Sequence, residues 1–225
     1  MTLVGTAAAQ VGHRPDASPF RDVRKGHTVT AMGGWFGGGG GRFKIGPHAG
    51  TIFGGRYDIR SARTIGLGLG IFHATLDRFI IDPFVEVANR LSGPVSQGVT
   101  FAEIDIQLNL TGAKTWHRLA PYVNIGGGLA SAGTTAADTS RYKFGRKFYF
   151  VPAIGTRLFI TDRLHLRAEA RTAFWKLKYP DSFRQEPVLE PGTESAPNAV
   201  IPDGRTSEWS ANPWLQVGLG YGFSP

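Results

Sequence analysis

The strongest constraint on this chain is a period of two that returns along most of its length. Residues 164–175, LHLRAEARTAFW, set Leu164, Leu166, Ala168 and Ala170 against His165, Arg167, Glu169 and Arg171. These residue types favour helix, yet at a 3.6-residue period Leu164, Arg167, Ala168 and Arg171 would share one face, leaving no apolar stripe. At a period of two the charges take one side and the apolar residues the other. FAEIDIQLNL repeats the pattern, with Ile104, Ile106, Leu108 and Leu110 opposite Glu103, Asp105, Gln107 and Asn109. The first strand, about Thr28 to Trp35, and the segments GTIFGGRYDI, TIGLGLGIF, PYVNIGGGLA, VPAIGTRLFI and WLQVGLGYGF follow suit. The count is eight strands of about ten residues, an even number of a length that crosses a bilayer when tilted.

The connections alternate in length. Short ones fall at 60–63, 111–118 and 161–163, and long ones at 37–47, about 76–97, about 131–145 and about 179–212. An up-and-down barrel with both ends of the chain at one mouth places every long loop at the other. A soluble sandwich has no reason to sort its loops in this way.

Alternation alone does not say which side faces water. A soluble barrel turns its apolar face inward, and a membrane barrel turns it outward to lipid. Glycine discriminates. Gly66, Gly68, Gly70, Gly126, Gly128, Gly218, Gly220 and Gly222, part of a total of 31, lie opposite the large aliphatics. A solvated outer face has no steric need for them, whereas the narrow interior of an eight-stranded barrel does. The charges on the glycine side also balance: Arg56, Arg157, Arg167 and Arg171 against Asp58, Glu103, Asp105 and Glu169. Lysine is absent from that set, and arginine–carboxylate pairing suits a buried polar network. These eight residues are the expected ion network of a plugged lumen. A mean hydropathy of −0.13 agrees with both solutions, because a barrel hides its apolar residues among polar lumen residues.

A net charge of +8 points to an anionic partner. The basic residues are scattered, with no run of the kind that binds nucleic acid, so no nucleic-acid partner is expected. Arg42, Lys44, Arg141, Lys143, Arg146, Lys147, Lys176 and Lys178 lie in expected outer loops and rims, where lipid phosphates, such as those of lipopolysaccharide, are candidate contacts. The loop segments DRFIIDPFVEVANRL and FRQEPVLEPGTESAPNAVIPDGRTSEW are candidate sites for a protein partner, the first through Phe79, Ile80, Ile81, Phe84 and Val85. Trp35, Phe36, Tyr57, Trp116, Tyr122, Phe159, Phe174, Trp175, Tyr221 and Phe223 are read as interfacial aromatics near strand ends. The run GGGGG at 37–41 reads as a mobile loop tip. MTLVGTAAAQ carries Ala7, Ala8 and Ala9 before Gln10, like a signal-peptide cleavage site. The expected division is residues 1–25, a truncated signal-like segment and linker, and 26–225, a barrel.

GTRLFITDRLHLRAEAR, with APYVNIGGGLA before it and a final WLQVGLGYGF, resembles the OmpA-like group of small outer-membrane β-barrels. The resemblance covers about residues 26–223. It implies integral residence in a bacterial outer membrane and a C-terminal strand, ending at Tyr221 and Phe223, that the assembly machinery reads. Here Ser224 and Pro225 follow the terminal aromatic.

Catalytic chemistry has no clear seat. The histidines are His13, His27, His48, His73, His117 and His165; His165 has no serine two positions on, His117 reads as interfacial in a short turn, and His73, with Asp77 nearby, reads as a structural rim histidine. There is no metal-spaced cluster and no cysteine. GLGLG at 66–70 lacks the strand–loop–helix context of a phosphate loop. The sequence therefore predicts an all-β, eight-stranded transmembrane barrel with a polar lumen, no cofactor and no enzymatic activity, acting structurally or through its loops. The competing readings are a narrow-pore or small-solute-binding barrel, a lipid-modifying enzyme and a soluble ligand-binding barrel.

Overall fold

The computed structural model describes residues 18–134, 138 and 140–224. The signal-like residues 1–9 lie outside that range. The strands are β1 (Phe20–Asp22), β2 (His27–Phe36), β3 (Ala49–Arg60), β4 (Ile65–Ile81), β5 (Leu91–Asn109), β6 (Lys114–Trp116), β7 (Leu119–Ala132), β8 (Gly145–Phe159), β9 (Leu164–Lys178) and β10 (Ser207–Phe223). Eight of them, β2, β3, β4, β5, β7, β8, β9 and β10, form an antiparallel ring in that order. The ring closes where β10 pairs with β2, from Phe223 opposite His27 to Trp214 opposite Phe36. Closure removes the free sheet edges that an open antiparallel sheet would expose.

The faces fall as the alternation requires. Ile71, Ile154 and Val217 point outward, each more than 60% exposed, while Arg56, Glu103, Asp105, Arg167, Glu169 and Arg171 are buried inside. The lumen glycines make room for this. A Cβ at Gly68 would overlap Arg56 Nη2 and lie 2.7 Å from Asp105 Oδ1. One at Gly220 would run into the imidazole of His165.

The strands are longer than ten residues toward the loop end, with 17 in β4, 19 in β5 and 17 in β10. The loop expected at about 76–97 shrinks to the turn between Ile81 and Leu91. Of its apolar residues, Ile80 and Ile81 are buried and Phe79 stacks on His48 at 5.9 Å, while Val87 and Leu91 are exposed. The register shift opposite Arg78–Ile80 adds a residue on β5. In β4 the inward face runs Leu76, Arg78, Ile80, so no clean polar–apolar alternation marks these residues as strand. The last loop likewise ends at Ser207 rather than Asn212. Pro213, which lacks an N–H, sits just beyond the final β10–β2 pair, and its carbonyl accepts from Gly37 N–H at 2.7 Å.

Part of the expected linker is structured. Asp22 to Phe20 pair with Lys114 to Trp116. Two backbone bonds, Val23 N–H to Ala113 at 2.8 Å and His117 N–H to Pro19 at 2.9 Å, hold the same stretch. The chain then enters β2, across the ring from the β5–β7 turn. Residues 18–26 therefore form a strap across the short-turn mouth. The Arg60 guanidinium donates to Val23 O, fixing its middle.

At the opposite mouth the long loops fold inward. Ile45, Phe144, Phe183, Val200 and Ile201 are buried over the lumen as one apolar cap. The glycine run is part of this packing rather than a free tip, since a Cβ at Gly41 would overlap Glu208 and come 2.5 Å from Tyr179 Oη.

Candidate functional site

The lumen has two layers. The lower layer, toward the strap, is an ion network joining β3, β5 and β9. Arg56 on β3 bonds Asp58 at 2.7 Å and Asp105 of β5 at 2.9 Å. Arg167 on β9 reaches Asp58 across the lumen at 2.9 Å and holds Glu169 at 2.7 Å. Arg171 pairs with Glu103 at 2.7 Å and lies 3.3 Å from Glu169. Adjacent strands supply neutral donors: Tyr122 Oη donates to Glu169 at 2.7 Å, Tyr149 Oη to Glu103 at 2.7 Å and Gln216 to Glu169 at 3.1 Å. Glu169 therefore receives bonds from Arg167, Tyr122 and Gln216 and lies at the centre of the network.

Seven of the eight residues expected in the network meet an opposite charge. Arg157 does not: its guanidinium donates to Asn109 Oδ1 and stacks 5.6 Å from the Tyr122 ring. Sequence reasoning missed a second buried pair, Arg78 with Asp138, beside the ring of Tyr142 at 5.3 Å. Arg78 lies in the part of β4 read as loop, so its inward parity was hidden.

The upper layer is aromatic. Phe36 stacks on Trp175 at 5.6 Å with the planes 8° apart. Phe72 meets Trp214 edge-on at 5.0 Å, and Phe101 meets Tyr149 at 5.5 Å. Phe36, Tyr122 and Trp175 are thus interior rather than interfacial, and Phe159 turns in toward His165 at 5.1 Å. The outward aromatics toward the loop end are Trp35, Phe53, Phe148, Phe150 and Trp209, with Phe174 half-buried beside Phe150. Inward aromatics escape a hydropathy reading because strand parity, and not residue type, separates them from the outer set. The Arg171 guanidinium joins the layers, 4.2 Å over the Trp214 ring and 5.7 Å from Phe72.

Near the strap lies a cavity of about 30 Å³ whose lining includes Lys25, Arg60, Asn109, Arg157 and His165, room for one or two water molecules.

The basic residues of the loop end do not act alike. Arg42 is committed within the cap, bonding Asp203 at 2.8 Å and the Arg205 carbonyl at 2.6 Å. That bond holds the Asp203 carboxyl below the usual carboxylate range. Lys147 is half-buried with its ammonium 5.2 Å from the Phe144 ring. Lys44, Arg141, Lys143, Arg146, Lys176 and Lys178 are exposed, and among the described residues none forms an ion pair. At the ring seam Tyr221 faces outward and takes a bond from Arg163 at 3.2 Å, while Phe223 stacks 5.7 Å from His27.

The described histidines bond only to neutral groups: His27 to Tyr57 at 2.6 Å, His48 to the Gly46 carbonyl at 3.1 Å and His73 to Thr100 at 3.1 Å. Asp77, near His73 in sequence, is instead opposite Ser96. Among the described residues no group of three metal-ligating side chains converges.

No protein-family model matches the chain, and no curated protein matches it. Solved structures do. Neisserial surface protein A aligns over 88% of this chain and 97% of its own, with 12% identity and a TM-score of 0.50. The N-terminal β-barrel domain of Pseudomonas aeruginosa OprF aligns over 87% and 97%, with 12% identity and a TM-score of 0.47. At this identity the likeness speaks to architecture. With a closed antiparallel ring, apolar residues outside and a filled lumen, this chain has the fold of the small eight-stranded outer-membrane β-barrels.

Proposed function

We propose that this protein is an integral barrel of a bacterial outer membrane with a sealed, non-catalytic lumen, acting structurally or through its loops. One observation carries the reading. Leu67, Ile104, Ile106, Ile154, Leu166, Val217 and Leu219 are each at least 42% exposed on the outer wall, while the guanidinium–carboxylate network is closed within. Burying one such aliphatic is worth on the order of 1.5–3 kcal/mol, so in water this wall would drive aggregation. In lipid it is the stable surface, and a ring with no free edge is what a bilayer requires.

Three layers support a sealed lumen: the strap, the ion network and the aromatic layer under its cap. Among the described residues no histidine bonds both a nucleophile and an orienting carboxylate, the pairing that acyl transfer needs. Two measurements test the reading. Cell fractionation should leave the protein in the outer membrane until detergent is added. Planar-bilayer recording should then show no steady conductance, and sustained current would replace the sealed barrel with a narrow pore.

A further inference from the structure

The outer wall is not symmetric toward the loop end. On β8 the outward residues run Ile154, Pro152, Phe150, Phe148, Arg146, and on β9 Ala170, Thr172, Phe174, Lys176, Lys178. Tyr149 pairs with Trp175 and Phe150 with Phe174. Continuing that register sets Phe148 beside Lys176 and Arg146 beside Lys178. On the far side of β9, Lys176 is opposite Trp209, which is 67% exposed. Three cations thus stand in adjacent strands at the end of an aromatic wall. Among the described residues they have no carboxylate partner, although like charges set side by side across strands repel.

The opposite wall is built differently. There β4 and β5 present His73, Thr75, Asp77, Ser96 and Thr100 outward, with no lysine or arginine among them. Lys44 and Arg90 stand above that wall, but they come from turns and line a cleft with Phe79 and Leu91 rather than ending a row of outward aromatics.

We propose that Arg146, Lys176 and Lys178 seat the head group of an anionic lipid that carries phosphoryl groups, its acyl chains lying along Phe148, Phe150, Phe174 and Trp209. The inference rests on the membrane reading above and adds a ligand and a location to it. Phosphoryl oxygens supply the acceptors that three neighbouring cations need, and arginine takes two of them at once. The aromatic wall selects a lipid over a free anion, because it offers an apolar surface where the chains would run.

The test uses the full chain in phosphatidylcholine nanodiscs doped with a diphosphorylated lipid A, or with the same lipid after its phosphates are removed. Native mass spectrometry counts the retained lipid. The protein should retain the phosphorylated form at least tenfold better than the dephosphorylated one, and the variant R146Q/K176Q/K178Q should lose that preference. A control at the other mouth, R21Q/R24Q, should keep it. Equal retention by the triple variant and the unaltered protein would overturn the proposal. Displacement by millimolar inorganic phosphate would overturn it too, leaving an anion site without lipid selectivity. A heat-modifiable band shift shared by all three proteins shows that the barrel is intact, and failure of every one to insert would instead refute the membrane reading.

Discussion

The two layers of the lumen are filled from strands of one alternating pattern, yet they hold the barrel together by opposite means. In the lower layer seven of the eight charged side chains have a specific partner of opposite charge, and Glu169 alone gathers Arg167, Tyr122 and Gln216. In the upper layer Phe36, Phe72, Phe101, Trp175 and Trp214 are held by shape and contact. A paired network fails when one partner goes, because the charge left behind has no water to turn to. An aromatic layer fails when volume goes, and tolerates exchanges that keep it.

Glu169→Ala is the severest single test of that contrast. It leaves Arg167 and Arg171 short of a counter-charge and should cost about 3–5 kcal/mol, read as a shift of the urea midpoint for the vesicle-inserted barrel. Glu169→Gln keeps the shape and should recover little of the loss. Trp175→Ala removes the partner of Phe36 and opens a cavity, with an expected cost of about 3 kcal/mol. A smaller loss of volume in the same layer should be milder: Phe101→Leu keeps most of the side chain and should cost about 1–2 kcal/mol. If Glu169→Gln proved as mild as Phe101→Leu, the distinction between the layers would fail.

Glycine substitutions sharpen the same point at smaller scale. Gly68→Ala pushes a methyl into the Arg56–Asp105 pair and should cost about 1–3 kcal/mol. Gly33→Ala on the outer wall, whose nearest neighbour would be the Ile52 carbonyl at 3.8 Å, should be close to neutral. The same denaturation series reads both.

The smallest effect is expected in the cap and depends on pH. Backbone N–H bonds from Gly192, Asn198 and Ala199 hold the Glu186 carboxyl below its ordinary range, as the Arg42 bond does for Asp203. A carboxyl lowered by folding contributes fully above its unfolded value near about 4 and loses that contribution as pH falls through the lower, folded value. Acidification below pH of about 4 should therefore loosen the loop between β9 and β10 before it affects the ring. Protease cleavage within 185–206, followed against an unchanged unboiled gel position, reads this difference.

The ring was legible in the sequence because a period of two is dictated by strand geometry, and the glycine side marked the narrow interior. The ion network was legible for a related reason: arginine and carboxylate on a lumen face have few alternatives to each other. What stayed hidden had local causes. The inward face of upper β4 mixes Leu76, Arg78 and Ile80, which concealed it as strand along with the Arg78–Asp138 pair. Phe36 and Trp175 look interfacial by type and are interior by parity. The cap and the strap depend on contacts between residues far apart in sequence, such as Arg42 with Asp203, which no local pattern encodes.

The strap also bears on the spacing of the ring. Its two anchorages, the start of β2 and the β5–β7 hairpin turn, belong to strands on opposite sides of the ring. In the closed ring the two face each other over the short-turn mouth, and the pairing of Phe20–Asp22 with Lys114–Trp116 spans the distance between them. A label placed there would therefore report whether the two sides of the barrel stand at that distance.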